Sequence, residues 1–420
     1  MSQFILETEN LKKYFPVLGG LLGKEIENIK AVDGVSFSIK KGETLGLVGE
    51  SGCGKTTLGR CILMLIKPTY GDVFFSAQIK KDDKEQLEKF NITKIRDLKN
   101  LRREMQIVHQ DPYDSLDPRM LIKNIIAEPL KTHKVSKGRK LHERVIELLE
   151  QVGMGESHLY RYSHELSGGQ LQRICIARAL ALNPGFIVLD EPTSSLDVSV
   201  QAQILNLLKR LQSELGLTYL FISHDISVID HMSDRIAVMY LGKIVEIAEK
   251  DVLMGTPLHP YTRALLSSIP TTNPRDRMLD KVIFIEGDVP SPMNPPLGCR
   301  FHTRCPEAQE YCGWEARDFI TYLQSNPGKL DLGKVKMSAD KFSLEILFET
   351  GSLKNDTLET RRVIEELVDS EKRENPLFKS IEKVVQKEDR ITLYFYEANE
   401  PTLSKVKDNH EVACLLYKDK

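Results

Sequence analysis

The sequence predicts an α/β fold with a phosphate-binding loop at its centre, followed by a loop-rich C-terminal region that carries an inserted α+β module. Three observations predict it. Gly49-Glu-Ser-Gly-Cys-Gly-Lys-Thr-Thr57 follows the apolar run Thr44-Leu-Gly-Leu-Val48 and precedes the apolar-rich stretch Leu58–Leu65. A strand, a glycine turn and a helix in that order is the context a P-loop needs. Phe186-Ile-Val-Leu-Asp-Glu191 is an unbroken apolar run ending in two carboxylates, the pattern of a strand buried on both faces of a parallel sheet. After Asp251 the texture changes: Pro257, Pro260, Pro270, Pro274, Pro290, Pro292, Pro295 and Pro296 break the chain into loops before regular patterns resume.

In the first stretch Gly49, Gly52 and Gly54 let backbone N–H groups turn inward on a triphosphate. The helix N-terminus adds its partial positive charge. Lys55 is placed to reach the β- and γ-phosphates and the Thr56 hydroxyl to sit on Mg²⁺, with Ser51, Cys53 and Thr57 completing the nucleotide-binding set. Cys53, beside Lys55 and the helix end, reads either as a thiolate poised for alkylation or as an inert small residue.

Length and charge bound the rest. A chain of 420 residues accommodates two or three domains. A net charge of −2 with 28% charged residues marks neither a nucleic-acid binder nor a disordered tail. No run of 18 apolar residues is present to span a bilayer, and the short acidic start Met1–Glu9 does not read as a signal peptide. Seven cysteines, an odd number, beside a nucleotide site argue for a reducing compartment.

In chain order, residues 4–15 read as an edge strand ending in Tyr14 and Phe15, either of which can stack on adenine. The Gly-Gly-Leu-Leu-Gly segment at 19–23 is a loop, Ala31–Ile39 alternates like a half-buried strand, and Asp72–Phe75 is a further strand. The charge-dense stretch 78–104 reads as a solvated helical excursion, and Met105–Gln110 as a strand. Residues 119–165 look helical: Leu141, Val145, Leu148, Leu149 and Val152 share one helix face and Gly153 stops it. Leu166-Ser-Gly-Gly-Gln170 opens another helix and forms a second anion-binding helix end. Asp190 can hold Mg²⁺ through water, and Glu191 can accept a proton from an attacking water. Ser195-Leu-Asp197 precedes an amphipathic helix with Ile204, Leu207, Leu208, Leu211 and Leu215 on one side. The strand Thr218–Ser223 then delivers His224 to the rim where α/β sheets place their chemistry.

These motifs, in this order, resemble an ABC transporter ATPase: the P-loop, Gln110, Leu-Ser-Gly-Gly-Gln at 166–170, Asp190-Glu191, Ser-Leu-Asp at 195–197 and Ile-Ser-His-Asp at 222–225. The segments at 19–23, 49–60, Gln-Asp-Pro-Tyr at 110–113 and His-Pro-Tyr-Thr-Arg-Ala-Leu-Leu at 259–266 are similar to the oligopeptide/dipeptide importer branch, and within it to the F-type ATPase subunit. The likeness covers about residues 1–318 and returns at 411–417. It implies a P-loop NTPase cassette over 1–250 with a helical subdomain at about 112–168. It also implies that Gln110 senses Mg²⁺ and the γ-phosphate, Glu191 is the general base and His224 contacts the γ-phosphate. Ser167, Gly168, Gly169 and Gln170, with Asp197, would serve the nucleotide held across a dimer by a second, different ATPase subunit. The implied partners are that subunit, two transmembrane permeases and an extracytoplasmic solute-binding protein, with this chain peripheral at the cytoplasmic face of the plasma membrane. The imported solute would be oligopeptides or dipeptides, with oligosaccharides or another solute as the alternative. A soluble ABC machine of DNA repair or translation would carry a long coiled coil or a second cassette, and this chain has neither.

The C-terminal region, 251–319 and 411–420, brings Cys299, Cys305 and Cys312 at spacings of five and six intervening residues, and the family's fourth cysteine falls on Cys414 in the strand-like Glu411–Tyr417. Four thiols suit an iron–sulfur cluster, 4Fe–4S being favoured, and zinc is the competing metal. About a hundred residues separate the third and fourth cysteines, where relatives need only a few tens. The intervening 320–410 reads as an inserted strand–helix–helix–strand module: Phe342–Phe348, Leu358–Val368, Leu377–Val385 and Ile391–Phe395. It carries no catalytic constellation.

Overall fold

The computed structural model describes residues 4–19, 24–81, 84–268, 283, 285, 287–326, 335–348, 354–373, 375–387, 390–407 and 409–417. Residues 20–23 of the glycine loop, together with Pro270 and Pro274, lie outside them. The chain divides between Pro257 and Leu258 into two compact units.

The first unit opens with a long antiparallel hairpin, β1 (Phe4–Gly19) and β2 (Lys24–Lys40), followed by β3 (Thr44–Val48) and α1 (Lys55–Ile62). A second hairpin, β4 (Tyr70–Lys81) and β5 (Lys84–Asn91), completes a sheet in the order β2-β1-β4-β5. Two expectations fail here. Strand β1 is interior, because both hairpins fold onto it and bury Leu6 and Leu11 completely. The first half of the charged stretch 78–104 is not helical: it is the outer arm of the β4–β5 hairpin, paired from Phe74↔Asn91 to Lys81↔Lys84. In a strand pairing of this kind the ladder is made by backbone groups, so charge density is no guide to its period. Only α2 (Leu101–Glu104) fulfils the helical expectation there.

The central sheet of this unit runs β10-β9-β3-β8-β7-β6. Its members are β6 (Met105–Val108), β7 (Phe186–Asp190), β8 (Thr218–Ile222), β9 (Arg235–Tyr240) and β10 (Lys243–Glu249), with β3 between β9 and β8. Pairings from β6 to β9 are parallel and only β9–β10 is antiparallel. Every residue of β3, β7 and β8 is buried, as continuous apolar runs in a covered parallel sheet require.

Between β6 and β7 lies the helical region: α3 (Pro112–Ser115), α4 (Ile122–Thr132), α5 (Gly138–Gln151) and α6 (Gly168–Leu180). In α5 Val145, Leu148 and Leu149 are buried on one face, and Gly153, at φ +72°, turns the chain out. Then come α7 (Val198–Leu215), α8 (Ile226–Met232) and α9 (Lys250–Gly255). Ile204, Leu207, Leu208 and Leu211 of α7 are buried as the periodicity predicts, but Leu215 is exposed because the helix ends there, at left-handed Gly216.

The second unit begins with α10 (Pro260–Ser267), whose N-cap His259 accepts a hydrogen bond from the Tyr261 N–H. After the cysteine segment come α11 (Ala316–Ser325), β11 (Val335–Ala339), β12 (Ser343–Phe348), α12 (Lys354–Glu371), α13 (Pro376–Lys379), β13 (Ile381–Lys387) and β14 (Arg390–Phe395). The sheet order β11-β12-β14-β13 is antiparallel throughout. The β12-α12-β13 crossover with β14 between its strands is a split β-α-β arrangement. Alternate residues Leu344, Ile346, Ile391, Leu393 and Phe395 share one core with Phe319, Ile364, Leu367 and Phe378 of the helices. The expected helix at 377–385 is therefore one short helical turn and then a strand. Its charged first half, Ile381-Glu-Lys-Val, hides the strand alternation. Strands β15 (Ser404–Lys407) and β16 (His410–Val412) pair as a hairpin. The strand expected over 411–417 stops at Val412, so Cys414 lies beyond it, just ahead of a 3₁₀ turn at Leu415–Tyr417.

Candidate functional site

The P-loop leaves the C-terminal end of β3, and α1 starts at Lys55 behind Gly54. At Gly54 φ is +108°, and a Cβ there would lie 2.0 Å from the Ala31 carbonyl oxygen, so only glycine fits. The buried Lys55 ammonium donates to the Gly49 and Glu50 carbonyls at 2.7 and 3.0 Å. The loop thus holds its cation on backbone oxygens and aims it along its own curve.

The other strand ends bring the carboxylates. Thr56 Oγ1 donates to Asp190 Oδ1 at 2.9 Å, placing the end of β7 directly over the start of α1. Burial raises the Asp190 pKa above the ordinary carboxylate value, opposed by the Thr56 hydrogen bond and by Arg60. A cation beside these two oxygens would offset that burial, so Thr56 and Asp190 suit a Mg²⁺ site. Glu191 takes a left-handed backbone, φ +47°, uncommon for a residue with a Cβ. Its Oε2 accepts from Gln110 Nε2 at 3.1 Å and lies 3.1 Å from His224 Nδ1. Ala31, Ser51, Gly52, Gly54, Lys55, Thr56, Thr57, Gln110, Glu191 and His224 line one cleft of about 440 Å³. Of these, sequence reasoning missed only Ala31, a small residue in β2 with no signal of its own.

Other candidates sit elsewhere. Ser167 caps α6 in a reciprocal box: its N–H donates to Gln170 Oε1 at 3.0 Å, and its Oγ accepts from the Gln170 N–H. A Cβ on Gly169 would lie 2.4 Å from Val200 Cγ1, and one on Gly168 3.3 Å from Leu196 Cδ2. This helix end therefore rests on the start of α7, where Asp197 takes the N-cap position without a side-chain cap hydrogen bond. None of Ser167, Gly168, Gly169, Gln170 or Asp197 lines the P-loop cleft. Nor do the two aromatics. The Tyr14 hydroxyl is bonded to Asp33 and its ring meets Tyr70 edge-on, whereas half-buried Phe15 carries the Lys13 ammonium 4.8 Å from its ring centre. Cys53 is 5% exposed, and burial raises its pKa more than Lys55 lowers it. Of the two readings of Cys53 this favours the inert small residue, because desolvation by the packed loop outweighs the neighbouring cation.

In the second unit Cys299 and Cys312 are buried and Cys305 and Cys414 half-buried, all as free thiols. Burial pushes all four pKa values up, Cys305 to about 12 and Cys414 to about 11. Cys299 is raised further by the other three cysteines, and Cys305 by Cys312 and Cys414. Among the described residues no group of three or more His, Cys, Asp or Glu side chains is placed to hold a metal ion. Nor is any helix among them long and apolar enough to cross a membrane.

A parallel sheet with a P-loop at its centre and a carboxylate pair at the neighbouring strand end defines a P-loop nucleotide hydrolase. Residues 32–194 match the model of the ABC transporter family, and residues 245–312 that of the oligopeptide/dipeptide transporter C-terminal region. The oligopeptide transport ATP-binding protein AppF of Bacillus subtilis (strain 168) is 52% identical over 318 residues, 76% of this chain and 94% of that protein. The dipeptide transport ATP-binding protein DppF of Escherichia coli (strain K12) is 44% identical over 340 residues, 78% of this chain and 97% of that protein. Among solved structures, the ADP conformation of MJ1267, an ATP-binding cassette of an ABC transporter, aligns with a TM-score of 0.50 at 26% identity, covering 64% of this chain and 100% of that one. The chain belongs to the ABC transporter ATP-binding family, in its oligopeptide/dipeptide branch, and is an ATPase.

Proposed function

We propose that this chain is the ATP-hydrolysing subunit of a peptide importer, working peripherally at the cytoplasmic face of the membrane. One observation carries the chemical part: Glu191, on a left-handed backbone, shares Oε2 with Gln110 and His224 in the lining of the P-loop cleft. Lys55 leaves its two loop carbonyls for the β- and γ-phosphate oxygens. Thr56 and Asp190 would hold Mg²⁺, which would supply neutralisation of phosphoryl charge. Glu191 takes the proton of the water that attacks the γ-phosphorus, His224 contacts the γ-phosphate, and Gln110 carries the state of the site into α3. Phe15 takes the adenine, since Tyr14 is committed to Asp33 and Tyr70.

The cap at Ser167 lies outside the set of residues lining this cleft, which supports a role on the nucleotide of a second ATPase subunit, a different chain. ATP would close the pair and hydrolysis reopen it, moving two permeases fed by an extracytoplasmic solute-binding protein. The peptide cargo rests on the names of the relatives and on the C-terminal match. It is tested by ATP-dependent uptake of labelled dipeptides and oligopeptides into vesicles carrying the assembled complex. Uptake of an oligosaccharide in place of peptides would overturn the cargo while leaving the ATPase chemistry standing.

Cys299, Cys305, Cys312 and Cys414 are proposed to hold one 4Fe–4S cluster with a structural role. The support is chemical: burial raises the pKa of all four free thiols, a cost that ligation to a metal as thiolates would offset. Zinc is the competing metal, since four thiolates also suit a closed structural zinc site. Anaerobically purified protein should be brown, with iron and acid-labile sulfide in equal amounts. Colourless protein carrying zinc would reverse the assignment.

A further inference from the structure

The segment carrying the third cysteine is pinned between two others. Cys312 C=O accepts from the Cys299 N–H at 2.8 Å, and its sulfur accepts from the Gln309 N–H at 3.2 Å. A Cβ on Gly298 would stand 2.5 Å from the Cys312 carbonyl oxygen and 3.0 Å from that of Asn399, so three backbone segments meet with no space between them. Asn399 belongs to the stretch leaving β14. Its N–H donates to the Tyr311 carbonyl at 3.1 Å, and Tyr396 packs on Tyr311 with ring centres 5.2 Å apart. On the entry side Trp314, the one tryptophan of the chain, donates its indole N–H to the Gln309 carbonyl at 2.9 Å. Its ring stands edge-on to buried His302, 4.7 Å between centres, and it also packs against the module's core. His302 in turn sits 2.7 Å from the Cys299 carbonyl. Two residues past Trp314 the Ala316 N–H donates to the Lys341 carbonyl, fastening α11 to the turn between β11 and β12. The turn after Cys414 is tied down by Tyr417, whose hydroxyl accepts from Arg263, the partner of Glu307.

We propose that the inserted module is the clamp of the four-cysteine site, with Trp314 as the positioning residue that joins the two. The separation of Cys312 from Cys414 is what makes a clamp necessary. An unfolded loop of that length would resist bringing its ends together. A folded split β-α-β unit whose entry and exit both lie against residues 309–312 holds them together in advance. The module therefore supplies no chemistry; it sets where two of the four thiols stand. The inference rests on the reading that these cysteines take a cluster, and the experiment separates the two.

Full-length wild type, Trp314→Phe, Trp314→Ala and Phe378→Ala are purified without oxygen. Iron and sulfide per chain are measured, together with alkylation rates of Cys299 and Cys312 in the native protein after chelation. Nucleotide binding reports that the first unit is folded. Phe378 lies in the module core, against which Trp314 packs, and is itself far in the chain from every cysteine. Trp314→Phe should keep its iron. Trp314→Ala and Phe378→Ala should bind it about tenfold or more weakly, as loss of a supporting shell does, and their thiols should alkylate faster with nucleotide binding unchanged. Full iron and wild-type alkylation in Phe378→Ala, with its module open to protease, would overturn the clamp. If Phe378→Ala does not fold, the Trp314 pair decides, and equal iron and equal alkylation in Phe and Ala overturn it. If wild type itself holds no metal, the cluster reading falls, and the clamp then stands or falls on the alkylation rates alone.

Discussion

In the nucleotide cleft every chemical group hangs just beyond the C-terminal end of a strand: Lys55 and Thr56 after β3, Gln110 after β6, Glu191 after β7 and His224 after β8. In the four-cysteine region the groups hang from loops, and the last arrives only after a separately folded module has been built. The first arrangement is rigid because the sheet is buried on both faces, so neighbouring strand ends are fixed by register: Asp190 pairs with Ile222, and the Glu191 N–H with the Ile222 carbonyl. The second is held by close backbone contacts and a few aromatic rings. One site is positioned by a scaffold shared across many chemistries, the other by an addition peculiar to this chain's C-terminal region.

That contrast can be broken where it is most exposed. Phe378→Ala removes a fully buried ring from a small core and should cost about 3–5 kcal/mol in the second unit. Denaturant melts followed by Trp314 fluorescence should show this, while nucleotide-induced stabilisation of the first unit is retained. Loss of nucleotide binding would mean that the two regions are not independently held. Lys55→Ala should act the opposite way, sparing Trp314 fluorescence and lowering ATP turnover by about 10²–10³-fold through the lost charge on the phosphoryl oxygens. A colorimetric phosphate assay on the assembled complex checks it.

Gly169→Ala sharpens the claim that the Ser167 cap rests on α7. The added methyl meets Val200 and should destabilise the first unit by about 1–3 kcal/mol. Val200→Ala in the same chain should restore the thermal midpoint, and no restoration would place the strain elsewhere. The smallest effect is expected at Cys53. Its raised pKa leaves less thiolate at any given pH, so iodoacetamide should label it slowly at pH 7 and faster as pH rises, with or without nucleotide. Rapid labelling at pH 7 that ATP prevents would restore the reactive-thiolate reading.

The cleft was legible in the sequence because its residues are short motifs locked to strand ends, and apolar runs such as Phe186–Leu189 announce those strands. Ala31 was not legible, since what qualifies it is the closeness of Gly54. Cys53 was left open between two readings because charge proximity is visible in a sequence and desolvation is not. The inner position of β1 and the β4–β5 hairpin were missed for a related reason: both depend on long-range pairing, and charge masked the alternation of β5. The module's β13 was lost the same way, behind Glu382 and Lys383, while Ile391–Phe395 alternated clearly and was found.

The central claim is that Glu191, held out to Gln110 and His224, removes the proton from the attacking water. Single-turnover hydrolysis of ATP by the assembled complex carrying Glu191→Gln tests it most directly. The amide keeps the size and the hydrogen-bonding partners but cannot take the proton. The chemical step should slow by about 10²–10⁴-fold, with ATP affinity unchanged and the closed, ATP-bound complex accumulating. A near-normal rate of γ-phosphate release in that variant would contradict the account and move the base elsewhere.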